Sequence, residues 1–452
     1  MQPCFAWQIT LTTSSATLSP ERVSTKIAAG LILFIGFLLF YLVAAAKMPD
    51  RFGVDGYLNY AATQYLVEHK RIPVVHADTQ GIVFSQLGAT RSLRPPLTYV
   101  LNATSSHLFS EAVGSRKIAM RFGSALLGAL TVTLAFISLM LCRLSIAYGV
   151  LGALMLGLMP RFNILAATNN DDIGAVFSVA LIGACCNWVL REREQLIPIL
   201  ALAAAVGVVF ISKYTAWICL PFVVLALWPA LKQRCKDILR WSPVLITLWV
   251  IAGGWWPIFN MFHYGVFDPT ALGHASQLQA ELTSRLPNKQ GYWSQGVSLW
   301  QLLTNYDQFL SITFASFVGY LPWISMSVTL GVNTFYILAA VLVLAGSFSM
   351  ARNTTVMTWL AVWTFFLCQF AVYLHHNLLR DIQVDGRYLM PVLSVWVVVA
   401  MLGLARLLPK LIGARLKLEL LTVYALAIIL LGLSGHNLVQ VWVPNGFGPF
   451  AG

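Results

Sequence analysis

Long runs of apolar residues, separated by short polar segments, follow one another along most of the chain. A run needs ~20 residues to cross the ~30 Å hydrocarbon core of a bilayer as an α-helix, and about eleven runs reach or approach this length. The pattern therefore predicts an all-α polytopic membrane protein with about 11 transmembrane helices. The predicted spans are 26–46, 118–141, 146–165, 172–190, 196–212, 214–231, 243–262, 332–350, 355–375, 388–406 and 418–438.

Lysine and arginine residues in the short loops indicate the orientation, because such residues concentrate on the cytoplasmic side of a membrane. With this number of spans most of them fall on one side. The N-terminus is then predicted to be cytoplasmic and the C-terminus to lie on the outer, non-cytoplasmic side. The basic residues of the predicted cytoplasmic side are Arg22, Lys26, Arg143, Arg191, Arg193, Lys232, Arg234, Lys236, Arg240, Arg352, Arg406, Lys410, Arg415 and Lys417.

One membrane domain, residues 26–440, accounts for nearly the whole chain. Residues 1–25 are predicted to form a cytoplasmic tail, because they lack the layout of a cleavable signal peptide. Residues 441–452 are predicted to form an outer tail. Two long segments, 47–117 and 263–331, connect spans on the outer side, and we expect the working surface of the protein in these outer loops.

The outer loops contain the patterns of short amphipathic helices. Residues 58–66 carry an apolar stripe with helical spacing. A second helix is predicted from Pro95-Pro96, which suit a first helical turn, to about Phe109. The aromatic and apolar segment 309–326 predicts a helix that lies at the membrane interface.

Composition supports the membrane class and limits the possible partners. The 452 residues are 58% hydrophobic and 10% charged, against roughly 25% charged residues in soluble domains, and the mean hydropathy is +0.74. The net charge of +12 does not indicate a nucleic-acid partner, because the basic residues lie between apolar runs. Basic residues on the outer side are available for an anionic substrate. None of the seven cysteines falls in an outer loop, so no disulfide framework is predicted.

Three aspartates on the outer side are candidates for chemistry. Asp55 follows the first span and precedes a predicted helix, so it suits either a helix N-cap or a carboxylate that acts as base or metal ligand. Asp171 and Asp172 open the fourth span, where acids are favoured at a helix start. Two consecutive acids exceed what a cap needs, and ionisable groups at membrane depth are functional hypotheses by default.

Basic residues near the outer ends of the spans are candidates for binding an anion. Lys213, between two spans, either snorkels to the interface or meets a phosphate. Arg91 and Arg94 precede the second predicted loop helix, and Arg387-Tyr388 opens the tenth span. These arginines either anchor the neighbouring helices or clamp a phosphate bidentately.

Histidine supplies two further hypotheses for a metal site. The eight histidines fall on the outer side or at outer span ends. His76 with Asp78, and the pair His375-His376, carry side chains that bind transition metals, although their spacing matches no fixed motif.

Five short segments occur in an order and with a sidedness that resemble the GT-C glycosyltransferase superfamily. In particular they resemble the branch of protein O-mannosyltransferases, aminoarabinose-lipid A transferases and bacterial lipopolysaccharide-sugar transferases, over roughly residues 27–405. The segments are Val54-Asp55-Gly56-Tyr57, Arg94-Pro95-Pro96-Leu97-Thr98-Tyr99, Asn170-Asp171-Asp172, the turn from Gly207 to Ser212-Lys213, and Gly386-Arg387-Tyr388-Leu389-Met390-Pro391.

The resemblance implies a GT-C-like catalytic domain that uses a polyprenyl-phosphate sugar. It implies that Asp55 is the principal catalytic carboxylate and that Asp171 or Asp172 supports the acceptor or a metal. A divalent metal ion, if one takes part, would be held by Asp55 and Asp171.

The same resemblance implies which residues bind the phosphate of the lipid donor. They are Arg94, Lys213, Arg387 and Tyr388. All four are expected at one depth, near the outer membrane surface.

The resemblance therefore predicts an enzyme, a glycosyltransferase that moves a sugar from a polyprenyl-phosphate donor to a lipid, glycan or protein acceptor with inversion of the anomeric carbon. It is expected in the bacterial inner (plasma) membrane with its site facing the periplasm or exterior. Two alternatives stay open. A flippase or transporter for a lipid-linked sugar is disfavoured because the span interiors are nearly free of charge, whereas a glycan polymerase or ligase is poorly separated by sequence.

Overall fold

The computed structural model describes residues 23–53, 55–74, 77–78, 81–84, 90–192, 194–282, 290–351, 356–412 and 416–447. These residues form helices joined by turns and loops. They contain no strand, only one isolated antiparallel bridge between Leu321 and Met326. The predicted all-α class is confirmed. Most of the predicted N-terminal tail, and Val54 and His76, lie outside the described residues.

The predicted spans all have helical counterparts. In the described chain nine helical segments are long and apolar enough to cross a membrane, or ten if a bent pair of helices is counted as one span. The remaining predicted span, 196–212, is the helix Ile197–Ser212, whose 16 residues extend roughly 24 Å and fall short of the hydrocarbon core. The nine long segments are Val23–Lys47, Arg116–Leu141, Asp172–Arg191, Tyr214–Gln233, Cys235–Tyr264, Leu330–Phe348, Val356–Leu379, Gly386–Ile412 and Leu416–Trp442.

The predicted span 146–165 is broken into two helices. Ile146–Gly157 and Pro160–Ala167 meet at an angle of 68°. Proline disfavours the helical conformation of the residue before it, and Met159 accordingly has φ −63° and ψ 123°. The second helix therefore leaves the axis of the first, and it carries the fully buried Arg161.

Both helices predicted in the first outer loop are present, as Gly56–His69 and Leu97–Val113. The segment 309–326 is α-helical only in its first half, Phe309–Val318. Its placement at a membrane interface stays a prediction. Further short helices of the described chain are Asp50–Phe52, Leu272–Leu282, Tyr292–Gln295, Leu299–Leu303, Tyr306–Gln308 and Pro322–Ile324.

Three membrane-length segments form the centre of the bundle. The apolar windows of Arg116–Leu141, Asp172–Arg191 and Gly386–Ile412 are 61–67% buried, whereas those of the other long segments are at most 33% buried. Two of the central segments begin at candidate site residues, Asp172 and the Gly386-Arg387 pair. Those residues consequently lie at one end of the most buried part of the protein.

Candidate active site

Ionisable side chains from separate parts of the sequence meet at one end of the central helices. Four are carboxylates and five are cations, so the group has a formal excess of one positive charge. We name it the charge cluster. Its members are Asp55, Arg91, Arg94, Arg161, Asp171, Asp172, Lys213, Asp385 and Arg387.

Asp55 is held by two arginines from distant segments. Its backbone has φ 55° and ψ 23° at the start of the helix Gly56–His69, and its side chain makes no capping hydrogen bond. The carboxylate instead accepts hydrogen bonds from Arg91 and from Arg387 Nη2, the latter at 3.3 Å. Asp55 thus occupies the N-cap position, but the interpretation of its side chain as the cap is wrong. A left-handed backbone at a residue other than glycine costs free energy and is frequent at functional sites.

Asp55 is also the most accessible carboxylate of the charge cluster. Its side chain is 30% exposed, whereas those of Asp171 and Asp172 are 3% exposed and that of Asp385 is 10% exposed. Burial would raise the pKa of Asp55, but the charges of Arg91 and Arg387 outweigh burial and hold this pKa below its usual value. The carboxylate is therefore ionised at neutral pH and open to a substrate.

Lys213 bridges the two aspartates at the start of the span Asp172–Arg191. Its Nζ lies 2.8 Å from Asp171 Oδ1 and 2.6 Å from Asp172 Oδ1. All three side chains are buried, so the interpretation of Lys213 as a snorkelling residue is wrong. Asp171 does not cap the helix with its side chain. The N–H of Asp172 donates instead to Asn170 Oδ1 at 2.8 Å.

Cationic neighbours keep the buried Asp171 ionised. Burial would raise the pKa of Asp171, but the charges of Lys213 and Arg91 hold it well below its usual value. Taking a charge out of water costs several kcal/mol unless a partner compensates. Lys213 is the partner that both aspartates share.

Arg387 connects the two halves of the charge cluster. Its Nε lies 3.4 Å from Asp385 Oδ2 and 4.0 Å from Asp172 Oδ2, while its Nη2 reaches Asp55. One guanidinium group thereby joins the accessible carboxylate to the buried ones.

Gly386 explains why Arg387 can reach this position. The glycine packs against the backbone of Thr313 and Phe317 so closely that a Cβ atom would overlap it. Its N–H donates to Ser316 Oγ at 2.7 Å. The glycine of the Gly-Arg-Tyr motif therefore serves close packing against the helix Phe309–Val318, and this packing positions the arginine.

Tyr388 supports Arg387. Its hydroxyl accepts a hydrogen bond from Arg387 Nη2 at 2.9 Å and donates one to Gln383. The guanidinium carbon of Arg387 lies 4.9 Å from the centre of the Tyr388 ring. Gln369 Nε2 donates to the backbone oxygen of Tyr388 at 2.7 Å, which fixes the turn.

Arg161 is a member of the cluster that sequence reasoning missed. It is buried, its Nη2 lies 2.7 and 2.6 Å from the two carboxylate oxygens of Asp385, and its guanidinium carbon lies 5.0 Å from the Trp323 ring centre. The available signal was an arginine directly after a proline inside an apolar run, because a charge at that depth needs a partner.

Arg91 and Arg94 have different surroundings although they are three residues apart. Arg91 pairs with Asp55. Arg94 is half-buried, its guanidinium carbon lies 5.9 Å from the ring centre of Tyr214, and it forms no ion pair with any residue that the structure describes. The resemblance selected Arg94 for the donor phosphate, and the structure leaves this guanidinium without an acidic partner in the described chain.

Two of the side chains proposed as metal ligands, Asp78 and His376, have other neighbours in the described chain. Asp78 accepts hydrogen bonds from Arg71 and from the N–H of Val74, and the His376 ring lies 6.3 Å from that of Tyr388. Within the described ranges, no group of three or more His, Cys, Asp or Glu is placed to hold a metal ion. Asp55 and Asp171 each pair with a cation, so their role as metal ligands stays a prediction.

The sequence of residues 94–256 matches the family described as dolichyl-phosphate-mannose-protein mannosyltransferase. This segment contains Arg94, Arg161, Asp171, Asp172 and Lys213, five members of the charge cluster. The resemblance to the GT-C glycosyltransferases is thereby confirmed. The comparison with curated proteins found no match.

Two solved structures are similar to this chain at low sequence identity. ArnT from Cupriavidus metallidurans, crystallised with undecaprenyl phosphate, is 14% identical with a TM-score of 0.45, over 84% of this chain and 61% of that one. The archaeal oligosaccharyltransferase AglB from Archaeoglobus fulgidus, in complex with an inhibitory peptide and a dolichol-phosphate, is 13% identical with a TM-score of 0.46, over 89% of this chain and 55% of that one. The chain thus spans less than two thirds of each of these proteins.

Proposed function

We propose that this protein is a membrane glycosyltransferase that transfers a sugar from a polyprenyl-phosphate donor to a lipid, glycan or protein acceptor. The observation that carries the proposal is the position of Asp55. Its carboxylate is ionised and partly exposed, it pairs with two arginines, and it is the most accessible acid of a largely buried cluster with excess positive charge. A carboxylate for the acceptor and cations for a phosphate are the two groups that this transfer requires.

In the proposed reaction the acceptor oxygen attacks the anomeric carbon while the bond from that carbon to the phosphate oxygen breaks. Asp55 accepts the proton of the acceptor hydroxyl. The polyprenyl phosphate leaves with one more negative charge than the donor carried. Attack from the side opposite to the leaving phosphate inverts the anomeric carbon.

The cations of the cluster are proposed to stabilise the leaving phosphate. Arg94 has no acidic partner in the described chain, and Arg387 Nη2 lies 3.3 Å from Asp55 Oδ2. The excess positive charge of the cluster complements the charge that develops on the phosphate. Tyr388 holds the Arg387 side chain in place.

Lys213 is proposed to act indirectly, which modifies the role implied by the resemblance. Its ammonium group is buried between Asp171 and Asp172. Its positive charge compensates the charges of both buried aspartates, and Asp172 Oδ2 in turn lies 4.0 Å from Arg387 Nε. Lys213 thus positions the phosphate-binding arginine rather than meeting the phosphate.

A divalent metal ion is not needed for this mechanism. The carboxylates proposed as its ligands are already neutralised by Arg91, Arg387 and Lys213. These side-chain cations supply the positive charge that a metal would bring to a phosphate.

The orientation of the site is part of the proposal. The positive-inside pattern supports an outer, non-cytoplasmic position for the charge cluster. The resemblance to bacterial lipopolysaccharide-sugar transferases supports a bacterial inner membrane, with the site facing the periplasm. The acceptor would then be a component of the cell envelope.

The test compares cells that lack the protein with cells that express the wild type, Asp55→Asn or Asp237→Asn. Asp237 undergoes the same chemical change, but its side chain is 53% exposed, and its ion-pair partner in the described chain is Arg234, one turn earlier in the sequence. Mass analysis of surface glycans and lipids should show a sugar addition with the wild type and Asp237→Asn, and none with Asp55→Asn. Addition that persists with Asp55→Asn, at equal protein level, would contradict the proposal.

A further inference from the structure

A cavity of about 780 Å³ lies away from the charge cluster, among five helical segments. Its volume falls in the range of ligand pockets, ~300–1,000 Å³. No described member of the charge cluster lines it. It shares two central helices with the cluster but occupies their other end, the predicted cytoplasmic end.

The cavity is elongated along the helices. It is lined from Val179 to Arg191 on one helix and from Ser394 to Arg406 on another. At 1.5 Å per residue each stretch is roughly 18 Å long, which slightly exceeds half of the ~30 Å hydrocarbon core. Most of the wall is apolar, so the length and the lining suit a hydrocarbon chain of a single leaflet.

The end of the cavity carries charged groups with a formal excess of one positive charge. Three arginines line this end, Arg143, Arg191 and Arg406, together with Glu192 and Glu194. Arg191 Nε lies 3.4 Å from Glu192 Oε1, whereas Arg143 is exposed and makes no ion pair with the residues that the structure describes. Basic pockets between membrane helices on the cytoplasmic side suit anionic lipid headgroups.

A pair of polar side chains lines the wall between the arginines and the apolar part. Asn187 lies one helical turn before Arg191, and its Nδ2 donates to Ser138 Oγ at 2.6 Å. An amide nitrogen carries two hydrogens and a hydroxyl carries one. The second hydrogen of Asn187 Nδ2 and the hydroxyl hydrogen of Ser138 can therefore be donated to a ligand. A glycerophospholipid carries ester carbonyls at this depth below its phosphate, whereas a polyprenyl phosphate carries none.

We propose that this cavity binds an anionic glycerophospholipid of the predicted cytoplasmic leaflet. The phosphate lies against Arg143 and Arg406, the ester carbonyls lie near Asn187 and Ser138, and an acyl chain fills the apolar part. The proposal does not depend on the proposed function, because the site shares no described residue with the charge cluster.

Gly183 provides a way to fill the cavity without disturbing the fold. It lines the cavity, and a Cβ atom added there would meet no atom within 4 Å. Gly183→Leu should therefore place a side chain in the space of the acyl chain. Gly36→Leu is the matched control, because a Cβ there is equally unobstructed and Gly36 is exposed on the helix Val23–Lys47.

The experiment is native mass spectrometry of the purified protein, titrated separately with phosphatidylglycerol, phosphatidylethanolamine and undecaprenyl phosphate. Phosphatidylglycerol should bind to the wild type and to Gly36→Leu, more tightly than the zwitterionic lipid, and should lose its tight binding in Gly183→Leu. Arg143→Gln and Arg406→Gln should each weaken binding about fivefold, the factor that ~1 kcal/mol per basic residue gives.

Three results would overturn the proposal. Equal binding of the anionic and zwitterionic lipids, unaffected by the arginine substitutions, would remove the headgroup assignment. Loss of undecaprenyl phosphate rather than phosphatidylglycerol in Gly183→Leu would assign the cavity to the tail of a polyprenyl carrier. Unchanged lipid binding in Gly183→Leu, with size-exclusion profile and helical circular dichroism like those of the wild type, would show that lipid binds elsewhere.

Discussion

Arg387 Nη2 lies 3.3 Å from Asp55 Oδ2, which brings together two residues 332 positions apart in the chain. This contact joins two distant parts of the site, because Asp55 comes from the long loop after the first span and Arg387 from the start of a central helix. Arg91 reaches the same carboxylate oxygen. The charge and the position of the proposed catalytic carboxylate therefore depend on both arginines.

Lys213→Met should destabilise the protein by about 3–5 kcal/mol, because two buried carboxylates would lose their shared partner. Thermal unfolding in detergent measures the effect. Lys117→Met is the control: the Lys117 side chain is 66% exposed and lies 3.5 Å from Asp50, so its loss should cost about 1 kcal/mol or less. Equal melting temperatures for the two variants would contradict the buried ion pairs.

Arg94→Gln should weaken binding of undecaprenyl phosphate about tenfold or more with little loss of stability. A hydrogen bond to a charged group is worth about 1.5–3 kcal/mol, and no ion pair of the described chain is broken. Arg91→Gln is the matched change three residues earlier, and it should lower stability because Asp55 loses a partner. Binding isotherms and unfolding curves of both variants separate phosphate binding from stabilisation of Asp55. If Arg91→Gln weakened lipid binding and Arg94→Gln lowered stability, the two roles would have to be exchanged.

Arg161→Leu should be strongly destabilising, because it removes the buried guanidinium whose Nη2 contacts both carboxylate oxygens of Asp385. The double variant Arg161→Leu with Asp385→Asn should recover much of the lost stability, since no buried carboxylate is then left without its main partner. The free energies of unfolding of the wild type, the two single variants and the double variant form a double-mutant cycle. Strict additivity of the two single effects would argue against direct coupling.

Protonation of Asp55 should not reduce the rate of transfer between about pH 8 and pH 5. Its pKa in the folded protein is lowered below the ~3.9 of an unperturbed aspartate. The stabilisation from its ion pairs is therefore present above this unfolded pKa and is lost as the pH falls through the folded pKa. In Arg91→Gln the loss of activity at low pH should begin at a higher pH. Burial raises the pKa of Asp55, and in this variant fewer positive charges counteract it. An acid limb near pH 6 in the wild type, absent from a variant at Asp55, would contradict the lowered pKa.

Chelation by EDTA should leave both the transfer and the binding of undecaprenyl phosphate unchanged. The reason is that Arg91, Arg387 and Lys213 neutralise the carboxylates that a metal ion would use. Dialysis against EDTA, followed by readdition of Mg²⁺, Mn²⁺ or Zn²⁺, provides the measurement. Loss of transfer that one of these ions restores would instead support the metal role implied by the resemblance.

Much of the site could be predicted from the sequence, but its internal pairing could not. Charged residues next to apolar spans are costly and therefore indicate a function. This argument identifies five residues of the site from the sequence: Asp55, Asp171, Asp172, Lys213 and Arg387. Helix capping and snorkelling were reasonable alternatives for isolated residues. They failed because each of these side chains meets an opposite charge from a distant segment, and a contact of this kind has no signature along the chain.

Hydropathy alone determined the all-α membrane class and the helical counterparts of the predicted spans, because burial in lipid requires long apolar helices with internally paired backbones. The spacing of apolar residues and the Pro95-Pro96 pair determined the two helices of the loop after the first span. The tertiary structure decided the rest. It placed Arg161 in the cluster through the break at Pro160, left Asp55 as the accessible acid, and enclosed Lys213 between two aspartates. Hydropathy depends on one segment at a time, whereas ion pairing and exposure depend on which segments pack together.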